Sequence, residues 1–178
     1  MPSLSLDPRL ADPDFLRLVG LGLKHRAAQG MQRSPADQAL YEACLTDRAL
    51  FATSFFPHLC GTTFSMMHQA IFARRAAQHG LRNLREAIAA PRGSAKTTIE
   101  GFIEVIHDIV YGLERFIAIF SHTGSLADDR VKQIRDELET NTRLIEVYGP
   151  QVGPLWNVGD LITANGIRLR AASPGTQL

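Results

Sequence analysis

Apolar residues recur at three- and four-residue spacing along much of the 178-residue chain, which predicts amphipathic helices. Phe15, Leu16, Val19 and Leu23 give one face to a helix over 12–29, ended by Gly30. Ser34-Pro35 opens a second helix. Serine is placed as its N-cap, proline fits the first helical position, and Asp37 follows three residues after the serine. Its apolar positions include Leu40, Ala43, Cys44 and Ala49. Residues 51–61 read as an aromatic-rich connector, and 64–79 return to helical spacing through Met67, Ile71 and Phe72. After Gly80 the pattern changes. Residues 86–90 form a short apolar run stopped by a Pro-Arg-Gly turn, which predicts a buried strand. Ile99, Phe102, Ile103, Ile106 and Val110 predict a helix over 97–111. Residues 116–120 predict a second buried strand, and Ser125 is placed to cap a long helix reaching about Thr140. Residues 160–164 and 167–171 flank Asn165-Gly166, a pair suited to a type I′ turn, and predict a β-hairpin.

From residue 84 the predicted order is strand, helix, strand, helix, hairpin. Such alternation implies an α/β fold, a parallel sheet flanked by helices with ligands outside the carboxyl ends of its strands. Residues 1–62 form a helical lead-in without evident chemistry. The composition, 45% hydrophobic and 21% charged, suits one globular domain of this length. Nineteen basic against eighteen acidic residues leave a formal charge of +1. Blanket neutralisation of DNA phosphates is therefore excluded, and any DNA contact is local or lies outside these residues. Cys44 and Cys60 are too few for a disulfide framework and lack metal-ligand spacing; reduced, buried thiols of a cytoplasmic protein are expected. No 18-residue apolar run is present, and the first fifteen residues lack the pattern of a secretory signal.

The chemistry concentrates in Ala90-Pro91-Arg92-Gly93-Ser94-Ala95-Lys96-Thr97-Thr98, between the predicted strand and helix. A phosphate-binding loop needs small residues that let backbone N–H groups converge, a helix N-terminus aimed at the anion, a lysine, and a hydroxyl for magnesium. Gly93, Ser94 and Ala95 are the small residues; Lys96 and Thr97 supply charge and hydroxyl. Both glycines of the usual G-x-x-x-x-G-K-[ST] pattern are alanines, Ala90 and Ala95. Ala95 is tolerable there if its backbone is helical, because only a positive φ would demand glycine.

The version Pro91-Arg92-Gly93-Ser94-Ala95-Lys96-Thr97 resembles the phosphate loop of tailed-bacteriophage terminase large subunits, whose ATPase domain packages DNA into proheads. Phe64 to Phe72 with His68-Gln69, the 116–120 strand followed by Ser121-His122-Thr123, the helix ending Leu138-Glu139-Thr140-Asn141, Tyr148-Gly149, and Ser173-Pro174-Gly175-Thr176 after the hairpin extend the likeness over roughly 50–178. The resemblance implies a P-loop NTPase fold of the RecA/ASCE type over 63–178, incomplete at its end, binding ATP and Mg2+. It implies that Lys96 and Arg92 act on the β/γ-phosphates, that residues 92–98 cradle them, and that Thr97 ligates magnesium. It further implies double-stranded DNA, a portal protein and a small terminase subunit as partners, a homo-oligomeric ring, and the bacterial host cytoplasm as the place of action. The family's second acidic motif would lie beyond Thr176, and its nuclease domain beyond that. Weak or absent nucleotide binding and no meaningful hydrolysis are therefore expected of these 178 residues alone. A helicase-like P-loop ATPase and a non-catalytic interaction module are the alternatives.

Other residues carry two readings each. Arg92 either engages the γ-phosphate or pairs with an acid to hold the turn. His68 and Gln69 either border adenine or sit at the edge of the core, the latter favoured. His122 and Thr123 are near the end of a strand, yet Ser121 and Thr123 also suit helix entry. Asp128-Asp129 reads as a solvated helix start. Glu100, Glu104 and Asp108, at four-residue spacing, read as the wet face of their helix. His25, His58, His79 and His107 show no ligand spacing, and Arg74, Arg75, Arg82 and Arg85 cluster as a solvated cap or a contact for DNA or a neighbouring subunit.

Overall fold

A computed structural model describes residues 33–78, 81 and 84–175; the helix expected over 12–29 lies outside them. Helix α1, Pro35–Thr46, starts as the sequence predicts, with the Ser34 hydroxyl accepting from the Asp37 N–H at 3.1 Å. It stops earlier than its apolar spacing suggests. Asp47 takes up extended backbone and its carboxylate accepts from the Leu50 N–H at 2.8 Å, capping a new helix, α2, Arg48–Phe55. The first half of the expected connector is thus helix, and its aromatic residues are core: Phe51, Phe55 and Phe56 are fully buried. The four-residue spacing of Phe51 and Phe55 behind a capping aspartate was the signal for it.

Helix α3 spans Met66–Ala77, with Ser65 as its cap. Helix α4 follows the loop in three contiguous segments: Lys96–Thr98, a π-helical turn Ile99–Ile103, and Glu104–Tyr111. Gly112, at φ 71°, ends it in left-handed backbone, the favoured way to close a helix. Strand β1 (Phe116–Phe120) leads into α5, Gly124–Thr140, whose cap is Thr123 rather than Ser125. Asn141 then caps a short helix, α6, Thr142–Tyr148.

The sheet is completed by β2 (Leu155–Asn157), β3 (Asp160–Ile162) and β4 (Arg168–Ala172), in the order β1-β4-β3-β2. Only β1 and β4 are parallel; β3 runs antiparallel to both β4 and β2. The sheet is therefore mixed, not the parallel sheet expected. The hairpin turn differs as well. The Gly166 N–H bonds the Thr163 carbonyl at 2.8 Å and Gly166 alone has positive φ, so the connection is a three-residue turn with glycine in the left-handed place. Asn165 instead donates from Nδ2 to the Ile109 carbonyl at 2.6 Å, tying the hairpin to α4.

Residues 86–90 form no strand. They have no pairing partner among the described residues and are largely exposed, with Ile88 alone packed partly against the core. A run composed mostly of alanine buries little apolar area and favours strand weakly, so nothing local enforces extended pairing there. Ile117, Leu161, Leu169 and Trp156 lie in register across the sheet and join the helices in one core. That core takes in Cys44 and Phe51 of the lead-in together with Ile103, Ile106 and Ile109 of α4. The ends of β1 stay open: Phe116 is 46% and Phe120 61% exposed.

Candidate phosphate-binding site

The segment 90–98 curls into a concavity of about 360 Å3 lined entirely by its own residues. Two left-handed positions separated by Ser94 produce the curl. Gly93 has φ 77°, and Ala95 has φ 54° and ψ 9°. The condition under which alanine would be tolerated at 95 is thus not met: its backbone is left-handed, at a cost of about 1–2 kcal/mol for an L residue. The N–H groups of Ala95, Lys96, Thr97 and Thr98 have no acceptor among the described residues, as befits an uncapped helix start.

The cations of the loop are also without carboxylates. Lys96 donates from Nζ to the Ile88 carbonyl at 3.2 Å, and no acid among the described residues pairs with it or with Arg92. Among the described residues, no ion pair holds the turn through Arg92. Thr97 is exposed and Thr98 half-buried, while the Ser94 hydroxyl is buried with no partner among the described residues.

His68 does not face a free space. Its Nδ1 accepts from the Ser65 N–H at 3.3 Å, completing a capping box at the start of α3, and its Nε2 lies 2.9 Å from the Ser94 carbonyl. Since only a protonated nitrogen bonds a carbonyl, Nε2 carries the hydrogen and the ring is the neutral tautomer. Both nitrogens are thereby used within the protein. Gln69 is exposed and donates to the Phe64 carbonyl at 3.2 Å. Thr123 is the cap of α5, His122 is exposed, and Ser121 extends the β1–β4 pairing through its N–H to Ala172 at 3.1 Å. Asp128 and Asp129 lie in the first turns of α5, as read from the sequence.

The stripe along α4 is not a wet face. Glu104 is fully buried, and its carboxylate meets Arg48 Nη1 at 2.8 Å and Arg75 Nε at 3.4 Å. Asp108 meets Arg75 Nη2 at 3.0 Å and Arg48 Nη1 at 3.4 Å, and Glu100 lies 3.6 Å from Arg75. His107 completes the cluster, donating from Nε2 to the Cys44 carbonyl at 3.0 Å and facing Arg48 Nη1 with Nδ1 at 2.7 Å. Three carboxylates thus share two guanidiniums. Burial pushes Glu104 up to about 7 against the pull of Arg48 and Arg75. Glu100 and Asp108 are raised for the same reason, and the three acids together outweigh burial to raise Arg75. Sequence reasoning missed this cluster because its partners, Arg48 and Arg75, stand on other helices.

The remaining basic residues disperse. Arg74 pairs with Glu86, Arg85 is exposed, and Arg82 lies outside the described residues, as do His25 and His79. His58 lies 3.7 Å from Glu137. Cys44 is buried and Cys60 half-buried, both free thiols, and burial pushes Cys44 up to about 12. Among the described residues no group of three or more His, Cys, Asp or Glu is arranged to hold a metal, and no helix is long and apolar enough to cross a membrane. A scan against family models, a search of curated proteins and a search of solved structures each found no match to this chain.

Proposed function

We propose that residues 90–98 bind the phosphates of ATP and that the chain carries a P-loop ATPase domain of the terminase type. The observation supporting this reading is the joining, in one concavity at the start of α4, of four N–H groups and two cations that have no acceptor or carboxylate partner among the described residues. Each is a donor or charge that a polyanion satisfies, and together they suit a phosphate chain better than a neutral ligand. Within it, Lys96 and Arg92 would offset phosphate charge, the backbone from 93 to 98 would cradle the oxygens, and the Thr97 hydroxyl would hold magnesium. Bound magnesium would neutralise charge between the β- and γ-phosphates. Positioning and electrostatics of this kind account for most of phosphoryl-transfer catalysis. DNA translocation, with portal and small-subunit partners, belongs to this reading through the resemblance of the motifs.

The test is a titration of the isotopically labelled chain with Mg·ATP, followed through backbone amides, beside Lys96→Ala. Weak binding with shifts concentrated at 92–98, lost in Lys96→Ala, is the expected result. Amides that do not move, or that move equally in the variant, would overturn the reading. No turnover is expected, since a second acidic pair to activate water is not found among these residues. A robust ATPase rate abolished by Lys96→Ala would show that part wrong.

A further inference from the structure

We infer that His68, on a helix outside the loop, positions the phosphate loop by fixing the direction of one peptide plane; this rests on the phosphate reading of residues 90–98. The Ser94 carbonyl and the Ala95 N–H belong to the same planar trans peptide, so they point in opposite directions. His68 is not among the residues lining the concavity, and its Nε2–H holds the carbonyl at 2.9 Å. Turning the carbonyl outward to His68 turns the Ala95 N–H inward, where it has no acceptor among the described residues.

The alternative orientation is open to the backbone. Flipping that peptide would move φ of Ala95 by about 180°, from the left-handed value of 54° to the negative side, where with ψ still at 9° it would lie in the bridge region, sparsely populated but allowed to alanine. The flipped loop would present a carbonyl oxygen to an anion instead of an N–H. What opposes the flip is the histidine, itself locked from two sides. Ser65 N–H engages Nδ1, and the ring stands edge-on to Phe64 with centroids 6.0 Å apart. His68 is therefore a positioning residue, with no contact to the base or to the reacting atoms required of it.

The probe is tripolyphosphate, titrated into the labelled full chain and read at the Ala95 amide. His68→Phe keeps the ring volume and loses the donor; His68→Gln keeps a donor that reaches as far as Nε2. The Phe variant should bind about tenfold more weakly, the worth of one well-aimed charge-assisted donor, and its Ala95 amide should fail to move downfield. The Gln variant should stay within about threefold of the parent chain, with the amide shift restored. If Phe at this position unfolds the chain, His68→Asn, whose amide stops short at the Nδ1 place, should lose binding while melting like His68→Gln. Parent-like affinity and Ala95 shift in the donorless variants would overturn the role of His68 and leave the loop reading intact. A parent chain whose loop amides ignore tripolyphosphate would overturn both.

Discussion

Helix α4 carries charge in two places that obey opposite rules. At its start, Arg92 and Lys96 lie in or beside solvent, and among the described residues they have no carboxylate partner and four N–H groups lack acceptors. One turn further on, Glu100, Glu104 and Asp108 are drawn into contact with Arg48 and Arg75, largely out of water. Buried charge is tolerated only when paired, so the second region serves the fold and breaks when one partner is removed. Exposed, unpaired charge contributes little to the fold and is free for a ligand. The contrast teaches that charged periodicity on a helix does not by itself tell a binding site from a structural one; the partners do.

The largest test of that contrast is Arg48→Ala. It leaves Glu104 buried with a weaker partner and should cost about 3–5 kcal/mol in urea unfolding, a loss the loop variants should not approach. Next comes Glu104→Gln. The folded chain holds the Glu104 proton up to about pH 7, whereas the unfolded chain releases it near 4.5, so stability from this group falls as pH rises between those values. Glu104→Gln should therefore melt close to the parent at pH 5 and gain about 5–10 °C on it by pH 8, the shift worth roughly 2–3 kcal/mol in a chain of this size. A difference that is flat with pH would mean the glutamate is already ionised in the fold.

At the loop the expected changes are smaller. Ala95→Gly relieves a left-handed alanine but frees the unfolded chain, for a net gain of about 0.5–1 kcal/mol by thermal melting. Destabilisation instead would mean that the alanine methyl packs usefully. Lys96→Ala should leave stability within about 0.5 kcal/mol while removing the response to Mg·ATP. If it destabilised the chain as Arg48→Ala does, the two ends of α4 would no longer differ in kind.

Much of the local structure was legible in the residues. The Ser34-Pro35 helix start, strand β1, the long helix α5 and the place of the hairpin all follow from caps, periodicity and turn residues. The loop was found the same way, because small residues, lysine and threonine in a row ahead of an apolar-periodic helix form a local pattern. The departures have non-local causes. Residues 86–90 have the apolar look of a strand but no neighbour to pair with among the described residues. Asn165 does not take part in a type I′ turn, and its side chain instead reaches Ile109 on α4. His68 reads in the sequence as a core-edge residue or an adenine contact, and neither reading contains its hydrogen bond to the Ser94 carbonyl, 26 positions away.

The sequence by itself determined where helices begin, which residues are small and cationic in the loop, and that no large charge excess drives binding. Caps, spacing and composition act over a few residues, so the order of residues contains them. The tertiary structure decided which charges are paired, which face of α4 is dry, that the sheet is mixed, and which way the Ser94–Ala95 peptide faces. Each of these depends on groups brought together from distant parts of the chain, where burial sets the energy of a charge and a hydrogen-bond partner sets the direction of a dipole.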